Sequence, residues 1–298
     1  MANKHCLIAL STCRSFEDNG NNQAVRDTWL KESLPSGWDY KMFVGAGPGP
    51  VPSDTVELRC PDTYEYLTYK TQEQVMWAFQ HGYKYIYRCF PDTYAAVDRL
   101  LSCEFEQADY TGTFGGLVDT ETCRPKVMFN RDGNELSVFA SGGPGYFLSR
   151  RAMDVLRNCY VDSSFQEDCW LGQKLHGFRF LKLRDDRRFW ESRAYEKTIR
   201  RYGPEVWNNV VAVHLSKKKT SSGGTAGWYD KQWMYDAHTA YADKSRTVDS
   251  PDVDIEYNVQ PLNSFEAMLI DDISVHRGEP HVNVEVRGAE GLWSKVPR

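Results

Sequence analysis

Several short features in the first 216 residues carry side chains able to do chemistry: Asp92-Thr93-Tyr94, Gly142-Gly143-Pro144-Gly145-Tyr146, the acidic pair Glu167-Asp168, and His214 near the end of an apolar run. Asp92 follows the apolar stretch 85–89, read as a strand, and open α/β sheets bind ligands at the carboxyl edge of their strands. An aspartate there can hold a divalent cation, because hard cations prefer carboxylate oxygen. The competing reading is a turn, with the side chain bonded to its own backbone. Asp168 sits in the first turn of an expected helix, whose dipole favours the ionised carboxylate. Such a group can take a proton from an attacking hydroxyl, although helix-start aspartates also occur with no further role. Ser164-Phe165-Gln166-Glu167 has the capping-box pattern, so Glu167 is expected to bond back to the Ser164 amide.

The glycines at 142, 143 and 145 permit either close approach of a substrate to the backbone or an irregular turn with φ > 0. His214 alone reads as a structural histidine. Its weight comes from the loop behind it, with Lys217, Lys218, Lys219 and Gly223-Gly224; a basic loop closing beside a metal site could stabilise a departing diphosphate. Arg26, in Arg26-Asp27-Thr28-Trp29, could reach a diphosphate or pair with a local acid, and Trp29 is expected in the core. There is neither a Walker phosphate loop nor a Gly-x-Gly-x-x-Gly fingerprint, which removes support from NTPase and dinucleotide-dehydrogenase readings.

At 298 residues, with 41% hydrophobic and 13% aromatic content, the chain can bury a substantial core. A net charge of −5 argues against a nucleic-acid partner. No segment approaches the ~20 apolar residues needed to span a bilayer. The apolar stretch 6–10 is too short for a secretory signal, and it reads as a first core strand. The expected location is cytoplasmic unless an anchor and stem belong to a longer chain. The eight cysteines are dispersed without a Cys-x-x-Cys pair, so reduced thiols rather than a zinc site or disulfides are expected.

The elements that must position these residues alternate in type. Strands are expected at 6–11, 39–45, 56–60 and 85–89, and helices at 23–32, 65–82 and 95–105, the long one with Leu67, Thr71, Val75 and Phe79 on its inner stripe. Beyond residue 110 strands are expected at 110–114, 126–130, 136–140, 146–148, 178–183 and 210–215, with helices at 150–159, 165–176 and 228–241. This pattern predicts a mixed, mostly parallel α/β sheet with helices on both faces. Residues 1–242 form the expected domain, divided into halves at 1–105 and 106–242. Residues 243–298 are a polar C-terminal extension containing Pro251, Pro261 and Pro280.

In this order the motifs resemble the inverting β-1,3-glycosyltransferases of the galactosyltransferase/Fringe type, glycosyltransferase family 31, over residues 5–216. Arg26-Asp27-Thr28-Trp29 is similar to the family's Arg-x-Thr-Trp. Asp62, Tyr64 and Leu67 to Thr71 resemble its Asp-x-Tyr…Leu-Thr-x-Lys-Thr stretch, and Gly143 to Ser149 its Gly-x-Gly-Tyr-x-Leu-Ser segment. Asp92-Thr93-Tyr94 with Arg99-Leu100-Leu101 resembles the end of its Asp-Asp-Asp-Thr metal motif and the following helix. Glu167-Asp168-Cys169 with Gly172 resembles its Glu-Asp-Val…Gly, and His214 its late histidine.

The resemblance implies a GT-A (Rossmann-like) fold, a UDP-sugar donor, an oligosaccharide or glycoprotein acceptor, and Mn²⁺ or Mg²⁺. It implies Asp168 as catalytic base and Asp92 with His214 as metal ligands. Donor contacts would come from Ser11, Thr12, Arg26, Asp62, Lys70, Asp92 and Lys217, and acceptor contacts from Gly143, Gly145 and Tyr146. One departure stands out: the family's three acids appear here as Phe90-Pro91-Asp92. The family also includes a non-catalytic chaperone with a degraded metal motif, so a binding protein on this fold is the alternative. The absent anchor is unusual for Golgi members and suits a bacterial or virus-encoded cytoplasmic transferase.

Overall fold

The computed structural model describes residues 4–115, 117–126, 137–161, 166–178, 180–192, 210–215 and 231–242. Strand β1 (Cys6–Ser11) is followed by the short helices α1 (Arg14–Asp18) and α2 (Asn21–Asp27), then β2 (Trp38–Ala46), β3 (Thr55–Pro61) and the long helix α3 (Leu67–Gln80). Next come β4 (Tyr85–Cys89), β5 (Thr93–Ala95), α4 (Val97–Ser102), β6 (Tyr110–Gly112) and a small hairpin of β7 (Val118–Asp119) and β8 (Arg124–Pro125). The remaining elements are β9 (Tyr146–Ser149), α5 (Arg150–Leu156), α6 (Glu167–His176), β10 (Leu183–Asp185), β11 (Phe189–Ser192), β12 (Ala212–Leu215) and α7 (Lys231–Ala242).

Seven strands form the main sheet in the order β10-β6-β9-β4-β1-β2-β3. Neighbours run parallel except β9, which is antiparallel to both β4 and β6. A second sheet orders β11-β12-β5. Side chains of β1 alternate between two cores. Cys6, Ile8 and Leu10 join Trp29, Met42 and Met234, whereas Leu7 and Ala9 join Phe43, Val75 and Trp170. A strand buried on both faces must be apolar throughout, so stretches 6–11 and 85–89 coincide with the observed strands. The mixed, mostly parallel α/β architecture covered on both faces is the one expected.

Several boundaries differ from the sequence expectation, each for a local reason. The helix expected at 23–32 breaks at Thr28, whose hydroxyl bonds back to the Ala24 carbonyl at 2.7 Å, and a 3-10 turn continues over Trp29–Lys31. The expected helix 95–105 is preceded by β5, because residues 93–95 pair with β12, and the helix itself covers only Val97–Ser102. Residues 137–140 form no strand, and the strand expected at 178–183 begins only at Leu183. On α3 the inner face is Thr68, Lys70, Thr71, Gln74, Val75 and Ala78, rotated from the expected stripe because two long polar side chains turn toward the sheet. Residues 127–130 of the strand expected at 126–130, Ser164 and residues 243–298 lie outside the described residues.

All eight cysteines are free thiols. Among the described residues no helix is long and apolar enough to cross a membrane.

Helix α6 is held close to the chain at 138–139. A Cβ on Gly172 would lie 2.5 Å from both the Phe139 Cβ and the Val138 carbonyl oxygen. Alanine would raise helix propensity by about 1 kcal/mol, but overpacking against backbone costs about 1–3 kcal/mol. Gly172→Ala is therefore expected to lower stability in urea denaturation; a net gain would contradict this packing.

Candidate functional site

The carboxyl ends of β1 and β2 enclose a buried charge pair. Lys70, 3% exposed, donates from Nζ to Asp62 Oδ1 at 2.6 Å and to the Thr12 carbonyl at 3.0 Å. The other bonds to Asp62 come from backbone amides, Gly45 to Oδ1 at 2.7 Å and Arg14 to Oδ2 at 2.6 Å. Burial pushes the Asp62 carboxyl up, but Lys70 and the two amides outweigh it and hold the group below the usual carboxylate range. Thr12 also donates its hydroxyl to Asn22 Oδ1 at 2.7 Å, while the buried Ser11 hydroxyl has no partner. Thus Ser11, Thr12, Asp62 and Lys70 share one corner of the sheet edge. Arg26 is engaged elsewhere, giving two bonds to Asp54, at 2.7 and 3.0 Å, and one to Glu17 at 2.6 Å.

A second group forms where β12 runs antiparallel to β5, with His214 opposite Thr93. The Leu215 amide donates to the Asp92 carbonyl at 2.7 Å, and His214 Nε2 lies 3.1 Å from Asp92 Oδ2. Asp92 Oδ1 is buried without a hydrogen-bond partner. The core side chain Trp29 supports this strand from below, its indole N–H donating to the Thr93 carbonyl at 3.1 Å. Strand pairing thus joins an oxygen donor and a nitrogen donor 122 positions apart. Their chemistry suits a divalent cation, and the unpartnered Oδ1 is an acceptor such an ion would satisfy. Among the described residues no group of three or more His, Cys, Asp or Glu could hold a metal.

A third group surrounds Asp168. Helix α6 begins at Glu167 with Gln166 as its N-cap, so Glu167 is the first helical residue rather than the third. Ser164, the partner of the expected capping box, lies outside the described residues. Glu167 turns inward, accepts the Tyr146 hydroxyl on Oε1, and places Oε2 3.1 Å from Arg88 Nη1. Asp168 accepts the Cys169 amide at 2.9 Å on Oδ1 and the Gly142 amide at 3.2 Å on Oδ2. Gly145 requires its glycine: φ is +83°, and a Cβ would lie 2.7 Å from the Arg88 carbonyl oxygen.

The turn from Gly142 to Gly145 links the last two groups. Its first amide bonds Asp168, and its Gly143 carbonyl accepts the Thr93 hydroxyl at 2.7 Å. Asp168 and the Asp92–His214 pair therefore lie along one sheet edge, separated by this turn. Tyr146, assigned to the acceptor by resemblance, is fully buried and committed to Glu167, so it supports α6 instead. Lys217 lies outside the described residues. Sequence reasoning missed Arg88, whose only signal is a cation inside the apolar stretch 85–89.

No family model matches the chain, and no curated protein matches it in sequence. Among solved structures it is similar to the galactosyltransferase LgtC in complex with donor and acceptor sugar analogs, at 8% identity and a TM-score of 0.40 over 78% of this chain and 95% of that one. An active-site mutant of LgtC aligns over the same shares at 8% identity and a TM-score of 0.41. At that overlap the likeness is loose, and function has to be argued from the site.

Asp62→Asn removes the counter-charge of buried Lys70 and should cost on the order of 1–3 kcal/mol near neutral pH. The folded carboxyl lies below its ordinary value, so its contribution is present above that value and lost as pH falls through the folded one. Urea titrations at neutral and acid pH should show the gap between wild type and variant closing in acid. A gap independent of pH would contradict the ion pair.

Proposed function

We propose that the protein is an inverting glycosyltransferase of the GT-A type, moving a sugar from a UDP-sugar to a hydroxyl of a glycan acceptor. The observation that carries this reading is the convergence of Asp168, the turn at Gly142–Gly145 and the Asp92–His214 pair on one sheet edge. Asp168 acts as general base. Both its oxygens already accept backbone amides, which fixes its direction. The acceptor oxygen loses its proton to Asp168 and attacks the anomeric carbon from the face opposite UDP. A new C–O bond forms as the bond to the β-phosphate oxygen breaks, and the configuration inverts.

Asp92 and His214 would hold Mn²⁺ or Mg²⁺, which supplies Lewis-acid neutralisation of charge on the departing diphosphate. Ser11, Thr12, Asp62 and Lys70 give the nucleotide a rigid polar corner at the end of β1, and Gly143 and Gly145 let the acceptor approach the backbone. Arg26 enters this scheme as a tie between Asp54 and Glu17, bracing the donor side. The second reading, a non-catalytic glycan-binding or chaperone protein, draws support from position 90. There an aromatic ring lies 3.8 Å from the Arg88 guanidinium, where the family resembled carries an acid.

Asp168→Asn separates the two readings. It keeps the shape of the side chain while removing the base, so transfer should fall by about 10²–10⁴-fold with UDP binding unchanged. Transfer at the wild-type rate in this variant would remove Asp168 from the role.

A further inference from the structure

The segment that carries Asp92 grips the Gly142–Gly145 turn at two consecutive carbonyls. Thr93, just after Asp92, donates its hydroxyl to the Gly143 carbonyl at 2.7 Å. Tyr87, on β4 before it, donates its hydroxyl to the Pro144 carbonyl at 2.7 Å, and both donors are 0% exposed. Within the turn the Gly145 amide closes onto the Gly142 carbonyl at 3.2 Å. Gly143 is the turn's one partly exposed residue, whereas Gly142, Pro144 and Gly145 are buried.

Packing alone does not need the Tyr87 hydroxyl. The ring lies 4.8 Å from that of Phe147 and 6.2 Å from that of Phe189, in the core shared with Trp29 and Met42. Phenylalanine would fill this space without a polar group to satisfy, and a buried hydroxyl costs free energy unless it is bonded. Burial pushes the Tyr87 hydroxyl well above its usual range, so it keeps its proton and remains a donor. The turn also lies directly on the ring: a Cβ at Gly145 would be 2.8 Å from Tyr87 Oη and 2.9 Å from Cε2.

We infer that Tyr87 is a positioning residue which, together with Thr93, sets the placement of Asp92 relative to the backbone at Gly143. The inference rests on the proposed transfer, in which Asp92 serves the donor and Gly143 the acceptor. The chain from 87 to 93 is braced by its own turn, the Thr93 amide bonding the Phe90 carbonyl at 3.0 Å and the Phe90 amide bonding Thr93 Oγ1 at 3.2 Å. Two hydroxyls from one short segment, held on adjacent carbonyls, restrict any shift of the donor side against the acceptor side. Transfer between two bound partners depends steeply on that spacing, and a misplacement of about 1 Å can cost about 10²-fold.

Tyr87→Phe removes the hydroxyl and keeps the ring. It should lower kcat/KM for the glycan acceptor by about tenfold, the order of one buried hydrogen bond, and leave the affinity for UDP with Mn²⁺ unchanged. Thr93→Val should lower acceptor efficiency in the same way, whereas Thr93→Ser, which keeps the hydroxyl, should stay close to wild type. Combining Tyr87→Phe with Thr93→Val should give a non-additive loss, because both hydroxyls act on one turn. Amide hydrogen exchange followed by NMR needs no substrate: in Tyr87→Phe the Gly145 amide should exchange about tenfold faster relative to the amides of β1 and β2. Acceptor efficiency equal to wild type, UDP affinity lost in step with it, or exchange raised evenly across the sheet would each overturn the inference. The proposed function fails separately: if wild type transfers no sugar while Gly145 exchanges faster as described, Tyr87 still sets the turn and the transferase reading is what falls.

Discussion

Strand β9 runs against β4 with Arg88 opposite Tyr146, and this register decides what the rest of the site can be. The two side chains meet Glu167 from neighbouring strands and pin the start of α6. The turn entering β9 is forced against the end of β4, where only glycine fits at position 145. That turn then presents one amide to Asp168 and one carbonyl to Thr93. Shifting the register by one residue would send Arg88 and Tyr146 to opposite faces of the sheet and dissolve the connection. A local pairing of four residues thereby fixes groups from α6, β5 and β12 relative to one another.

Among the described residues the sheet edge carries two buried cations, each set against a carboxylate. Lys70 makes two hydrogen bonds, to Asp62 and the Thr12 carbonyl, and it ties α3 to the ends of β1 and β2. Arg88 has no aligned hydrogen bond and is balanced by charge and by the Phe90 ring. Satisfied networks rigidify a structure, whereas a charge held mainly by its field stays sensitive to neighbouring protonation. The corner around Lys70 and Asp62 is accordingly the more tightly bonded of the two. Phe90 belongs with Arg88, because its ring centre lies 3.8 Å from the guanidinium.

Much of this was legible in the residues, and the misses share a cause. Strands at 6–11 and 85–89 stand out because burial on both faces leaves an unbroken apolar run. Asp168 and the glycine turn were visible as local signals, a helix start and a φ > 0 position. What required the fold was every relation between distant residues. Asp92 and His214 are 122 positions apart and meet only through the β5–β12 pairing, and β5 itself is three residues long, too short to show a period. Glu167 fits a capping box in sequence, yet Arg88 and Tyr146 draw it inward. On α3, Lys70 and Gln74 occupy the inner face, so a hydrophobic stripe alone misplaces the helix.

The central claim is a working donor site at the carboxyl edge of β1 and β4, built around Asp92 and His214 despite Phe90 and Pro91. Calorimetry of UDP binding, first with Mn²⁺ and then with EDTA, addresses it without knowledge of the acceptor. The account predicts binding with Mn²⁺ that is lost on adding EDTA. No binding in either condition would contradict it and favour the non-catalytic reading, and binding indifferent to EDTA would contradict the role given to Asp92 and His214.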